Sequence, residues 1–172
     1  VLQDDIHIPT LTVTETIYYS AWARMPGGTS KEDINKRVES LLDMMGLRDV
    51  RDSFIGDSMT KGISGGQLKR VSIAVELVAM PELIFLDEPT SGLDSSIALE
   101  VMTVAHRLCI EKRTVISTIH QPSPQVFSLF DTIVLLSSGR LIYSGDTAGI
   151  VKYFTCPKLG YYGASENKTA EF

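Results

Sequence analysis

Two apolar runs constrain the fold more than any other feature of this chain. They are Leu83-Ile84-Phe85-Leu86 and Thr114-Val115-Ile116-Ser117-Thr118-Ile119. Neither alternates apolar with polar residues, which is the look of strands buried on both faces. Between them Ile97, Val101, Val104, Ala105 and Leu108 recur at helical spacing, with Asp94 or Ser95 placed to cap the helix. A strand, a helix and a second strand make a β-α-β unit, and such a unit requires a parallel sheet. A third run, Thr132 to Leu136, has the same character. Ser137-Ser138-Gly139-Arg140 then reads as a turn into Leu141-Ile142-Tyr143, a hairpin that closes the core.

The chain before Leu83 is mostly helical in pattern. Thr12 and Glu15 stand in capping-box spacing ahead of Ile17, Ala21 and Met25, which predicts a helix over 12–25. After Pro26-Gly27-Gly28 a second helix is expected from Ser30, with Ile34, Val38, Leu41, Leu42 and Met45 on one face and Gly46 as its stop. A third opens at Ser64, with Val71, Ala74, Val75 and Val78 sharing a face. Ser123-Pro124 fits a cap followed by proline at the first helical position. From Cys156 onward glycines are frequent and apolar periodicity is weak, so that tail reads as a linker.

Composition narrows the function classes. The 172 residues carry a net charge of −5, and the densest basic stretch is Lys69-Arg70, so a nucleic-acid surface has no support. Cys109 and Cys156 lack zinc spacing and fit a reducing compartment. No stretch approaches the roughly 18 consecutive apolar residues of a spanning helix. The chain opens on Val1 rather than Met, and both ends read as cut.

Chemistry concentrates in a few short motifs. Ser64-Gly65-Gly66-Gln67 is, taken by itself, a capping box. Two adjacent glycines in the first turn are not needed for capping, since each costs a helix about 1 kcal/mol relative to alanine. They do permit close backbone approach, and a helix N-terminus with bare N–H groups suits a terminal phosphate. Asp87 and Glu88 end the first strand, at the carboxyl edge where parallel sheets bind ligands. One carboxylate for magnesium and a second to orient or deprotonate water is what phosphoanhydride hydrolysis needs. His120, expected at the end of the next strand, would project from the same edge, a γ-phosphate contact. His7 and His106 read as structural. The chain contains no Gly-x-x-x-x-Gly-Lys-Ser/Thr loop, and Gly56-Asp57-Ser58-Met59-Thr60-Lys61 is no substitute because its second glycine does not precede the lysine.

Together these motifs resemble the nucleotide-binding domain of an ABC transporter, and more narrowly the G subfamily of white and pleiotropic-drug-resistance type. By that resemblance Gln3-Asp4-Asp5 is the Q-loop and Ile63-Ser64-Gly65-Gly66-Gln67 the signature. Leu83 to Glu88 is then Walker B, Ser91-Gly92-Leu93-Asp94 the D-loop and His120 the switch histidine. The subfamily rests on Leu11-Thr12-Val13-Thr14-Glu15-Thr16, Val75-Glu76-Leu77, His120-Gln121-Pro122-Ser123, and Gly139-Arg140 with Tyr143-Ser144-Gly145. One departure is Gln67, where G-subfamily members often carry Glu.

The resemblance implies a RecA-like P-loop NTPase core with an inserted α-helical subdomain, its N-terminal part, including Walker A, missing. Residues 1–155 would be a partial ATPase domain, with about 10–80 the helical and signature subdomain and 81–155 the core. Residues 156–172 would lead toward a transmembrane domain. It implies ATP and Mg2+ as ligands, with Glu88 and His120 catalytic. Gln3 and Asp87 would serve the metal, Asp87 directly or through a water. Ser64, Gly65, Gly66 and Gln67 would contact ATP held by a second nucleotide-binding domain. The expected setting is the cytoplasmic face of a membrane, driving export of a lipidic or hydrophobic substrate. The alternatives are a soluble ABC-type ATPase and a truncated, inactive regulatory domain. The chain alone is expected not to hydrolyse ATP.

Overall fold

A computed structural model of the chain describes residues 1, 6–57 and 60–156. They fall into two compact units, Val1–Ile119 and His120–Phe172.

The first unit begins with the helices the sequence announces. α1 (Val13–Arg24) is capped by Thr12 in a reciprocal box with Glu15, and Val13, Ile17 and Ala21 are fully buried. α2 (Lys31–Met44) starts behind Ser30, whose side chain accepts from the Asp33 amide, and buries Ile34, Val38, Leu41 and Leu42. Gly46, with φ of +62°, takes the left-handed conformation that ends it. A single 3-10 turn at Arg48–Val50 and an isolated bridge between Thr12 and Phe54 return the chain to the start of α1. α3 (Gly65–Leu77) packs on α1, α2 and the later helix Ser95–Ile110 and buries Val71, Ile73, Ala74 and Leu77, with its C-cap Val78 buried as well.

The β-α-β unit follows. β1 (Leu83–Leu86), α4 (Ser95–Ile110) and β2 (Thr114–Ser117) form it, and the two strands pair in parallel, Leu83 opposite Thr114 through Leu86 opposite Ser117. Asp94 caps α4 by accepting from the Ser96 and Ile97 amides, both at 3.0 Å. On the other edge of β1, the Val1 nitrogen donates to the Phe85 carbonyl at 2.7 Å and the Asp87 amide donates to the Val1 carbonyl at 3.0 Å. Those two bonds bracket Leu86 in the pattern of a parallel neighbour.

One expectation is corrected. The strands are not buried on both faces: Ile84 and Leu86 are buried beneath the sheet, whereas Phe85 is 58% and Ile116 49% exposed. Helix α4 covers one side of the pair, and no second layer covers the other among the described residues.

In the second unit α5 (Pro124–Phe127) is a short helix with Ser123 as its cap and proline at its first position. β3 (Thr132–Ser137) and β4 (Arg140–Asp146) form an antiparallel hairpin, so the third apolar run pairs with its successor, not with β1 or β2. Ser138 and Gly139, with φ of +50° and +73°, supply the two left-handed residues of a tight hairpin turn. α6 (Gly149–Phe154), which the sequence pattern does not announce, buries Ile150 and Phe154.

Candidate functional site

Asp87 and Glu88 leave the sheet directly after β1, at the carboxyl ends of the parallel strands. Thr118, one residue past β2, organises this end. Its amide donates to the Leu86 carbonyl at 3.0 Å. Its hydroxyl donates to Asp87 Oδ1 at 2.7 Å and accepts from the Glu88 amide at 2.9 Å. Glu88 has φ of +43°, a left-handed conformation that costs a non-glycine residue of order 1 kcal/mol and persists only where its surroundings hold it. The sequence reading does not single out Thr118, because there it is one more β-branched residue in an apolar run. Only the paired geometry of β1 and β2 reveals it.

The segment beyond Glu88 folds back at once. Ser91 donates to the Glu88 carbonyl at 3.0 Å and Leu93 to the Thr90 carbonyl at 3.2 Å, bringing Ser91-Gly92-Leu93-Asp94 into a tight turn that ends on the α4 cap. This turn meets the start of α3. A Cβ on Gly66 would lie 2.2 Å from Ile97 Cγ2, and one on Gly65 would lie 3.3 Å from Leu93 Cδ2. Gly66 is buried by this contact and Gly65 stays exposed. Part of the reason for the glycine pair is thus packing of one helix start on another.

Ser64 and Gln67 form the capping box that their spacing announces. The Ser64 amide donates to Gln67 Oε1 at 2.8 Å and the Gln67 amide to Ser64 Oγ at 3.3 Å. The box answers the Gln67 amide. The Gly65 and Gly66 amides belong to a first turn that has no intrahelical acceptors, so an anion arriving at this end would meet amides carrying the positive end of the helix dipole.

The far end of α3 is tied down by side chains from its neighbours. Ser20 and Arg24 of α1 both donate to the Val75 carbonyl at 3.3 Å, and Arg37 of α2 donates to the Leu77 carbonyl. Arg24 also grips Glu76, which holds that carboxyl below its ordinary pKa. Burial, and then Arg113 nearby, push the Arg37 guanidinium below its usual value.

His120 is exposed, in the second unit, beyond the end of β2 at Ser117 rather than ending the strand as expected. Gln3 lies outside the described residues. His7 keeps a structural place, with Nε2 2.7 Å from Ser72 Oγ on α3. Around Gly56 the chain forms a closed loop: Ile63 donates to the Ile55 carbonyl at 3.3 Å, and a Cβ on Gly62 would fall 2.0 Å from that oxygen.

A divalent cation fits this end in one way. No group of three or more His, Cys, Asp or Glu side chains among the described residues could cage a metal. Magnesium, however, is usually held by one or two carboxylates plus substrate phosphates. Asp87, with Oδ1 occupied by Thr118 and a second hard oxygen beside it, suits that role.

A family model described as ABC transporter matches residues 1–91, just over half of the chain. The chain belongs to the ABC transporter family. This ABC domain is 42% identical over 172 residues to the rat broad substrate specificity ATP-binding cassette transporter ABCG2, covering 100% of this chain and 26% of that protein. To the ABC transporter G family members 13 and 11 of Arabidopsis thaliana it is 46% and 47% identical, covering 90% and 92% of this chain. It spans 23% of each of those two, so the chain covers about a quarter of the length of the relatives it matches. Among solved structures, the dimeric post-hydrolysis state of the ATP-binding cassette MJ0796 bound to ADP and Pi matches with a TM-score of 0.67 at 28% identity. That match covers 86% of this chain and 61% of the other. The ABC domain therefore has the P-loop NTPase fold of the ABC ATPases, here as a part of it.

Proposed function

We propose that this chain is part of the ATP-hydrolysing domain of a G-type ABC transporter, and that the complete protein couples ATP hydrolysis to export of a lipidic or hydrophobic substrate. The observation that carries the reading is the carboxylate pair Asp87-Glu88 at the carboxyl end of β1, beside a turn that packs on the glycine-rich start of α3.

In this reading Glu88 orients and deprotonates the attacking water, and Asp87 holds Mg2+, with Gln3 contributing from the preceding segment. The metal, when bound, would neutralise charge on the β- and γ-phosphates. Ser64, Gly65, Gly66 and Gln67 present first-turn amides and a hydroxyl to the γ-phosphate of ATP held by a second ABC domain. The Ser91–Asp94 turn follows Glu88 directly and its Leu93 meets Gly65 at that surface, and so ties the partner's nucleotide to this domain's own carboxylates. His120 contributes an imidazole to the γ-phosphate. Residues of about 10–80 serve as the helical subdomain, 81–155 as part of the core, and 156–172 as the link to a transmembrane domain, with this domain on the cytoplasmic face. Among the described residues no helix is long and apolar enough to cross a membrane.

The test is Mg2+-dependent ATP turnover by the full-length protein in lipid. Glu88→Gln is expected to abolish turnover while ATP still binds, with a loss of at least about a hundredfold. Turnover near wild type in Glu88→Gln would remove Glu88 from the role assigned here.

A further inference from the structure

We infer that Thr118 is a positioning residue for ATP hydrolysis: its hydroxyl holds the Asp87 carboxylate in place for a metal and the Glu88 backbone in its left-handed conformation. The inference rests on the reading of Asp87 and Glu88 given above and extends it to a residue outside the ABC motifs in this chain.

Three consecutive residues of the β1 exit depend on this one threonine. The Leu86 carbonyl takes its amide at 3.0 Å, Asp87 Oδ1 takes its hydroxyl proton at 2.7 Å, and the Glu88 amide donates to its hydroxyl oxygen at 2.9 Å. The hydroxyl therefore uses its one donor and one acceptor lone pair in a fixed chain that runs from the Glu88 amide through Oγ1 to Oδ1. The carboxylate end of this chain is a charge-assisted bond, the stronger kind.

Two consequences follow for the site. The bond at Oδ1 restrains the Asp87 carboxylate and, among the described residues, leaves Oδ2 for a cation. Glu88 sits at φ of +43°, and its amide has found an acceptor outside the local turn. Without that acceptor the peptide between Asp87 and Glu88 is free to rotate toward an ordinary conformation, which redirects the Glu88 side chain. Valine at 118 would keep the β-branched shape and the backbone bond to Leu86 while removing both hydroxyl bonds. Serine would keep the hydroxyl.

The experiment uses the full-length transporter with Thr118→Val, Thr118→Ser and Glu88→Gln. Amide hydrogen exchange is read first, in protein free of nucleotide and metal. The Glu88 amide is expected to exchange at least about tenfold faster in T118V and within about twofold of wild type in T118S. Turnover is then measured against Mg2+. T118V should lower kcat roughly tenfold and raise the half-saturating Mg2+ several-fold, with the KM for ATP little changed and T118S restoring both. Thr118→Ala removes the hydroxyl without adding a methyl group and stands in if T118V folds poorly. Wild-type exchange and Mg2+ dependence in the hydroxyl-free variants, with Glu88→Gln inactive, would overturn the inference and leave the site reading standing. An active Glu88→Gln would overturn the site reading and this role with it.

Discussion

Arg24 at the end of α1 grips both carboxylate oxygens of Glu76 on α3, at 2.8 and 3.1 Å. The pair joins the helix that opens at Ser64 to the first helix of the chain. Both side chains are about two-fifths exposed, so the two-pronged geometry is set against solvent screening. Glu76→Gln should lower the stability of the full-length protein by no more than about 1 kcal/mol, and the loss should shrink in high salt. Thermal melts at low and high salt check it.

Arg37 should matter more than Arg24. The residue is half-buried, its guanidinium donates to the Leu77 carbonyl at the end of α3, and its buried Nε has no hydrogen-bond partner among the described residues. Truncation would remove a charge-assisted bond to that carbonyl, which then keeps only the Met80 amide at 2.9 Å, at a cost of about 1–3 kcal/mol. Arg37→Ala should therefore lower the melting temperature more than Arg24→Ala does, with little dependence on salt.

A cluster of ion pairs makes the helical part sensitive to acid. Arg51, by hydrogen bonding, holds the Glu39 carboxyl below its ordinary value, and Arg48 does the same to Asp43. A carboxyl depressed in the folded state contributes stability above its unfolded pKa, and loses it as pH falls through the folded one. For glutamate the unfolded value is about 4.3, so the loss should begin near pH 4 and deepen below it. Urea midpoints from pH 7 to pH 3 should show that fall, and Glu39→Gln should flatten it.

The two glycines of the α3 start should separate packing from chemistry. Gly66→Ala places a methyl group 2.2 Å from Ile97 Cγ2 and should destabilise by about 1–3 kcal/mol, with part of the loss recovered in Gly66→Ala/Ile97→Ala. Gly65→Ala meets only the end of the Leu93 side chain, at 3.3 Å. It should leave the melting temperature nearly unchanged and still lower ATP turnover by about tenfold or more, because the methyl group stands on the exposed turn. Equal loss of stability in both variants would count against the division.

Much of this was legible in the sequence because the signals are local. Thr12-x-x-Glu15 and Ser64-x-x-Gln67 became reciprocal capping boxes, and Ser30, Asp94 and Ser123 became caps, since a side chain three residues from an amide needs no distant partner. The β-α-β unit followed from residue character alone. The roles of Thr118 and Ile97 were not legible, because each depends on which element folding brings alongside. Strand burial misled for the opposite reason: Phe85 and Ile116 have the character of core residues, but character does not say whether a second layer is present.

That open sheet face bears on the 172-residue chain as an isolated species. Leu83, Phe85 and Ile116 are 46–58% exposed on β1 and β2, and in the second unit Val134, Leu136 and Leu141 are 60–65% exposed on β3 and β4. Exposed apolar strands are a template for association. Produced alone, the chain should elute from size exclusion above a monomer's volume, and Phe85→Lys with Ile116→Thr should shift it toward monomer. It should show no Mg2+-dependent ATP turnover at any of these sizes, because no residue in it supplies a phosphate-cradling loop or its lysine. Turnover in the monomeric fraction would mean that Asp87, Glu88 and the α3 start suffice to bind and cleave ATP, against the division of labour proposed above.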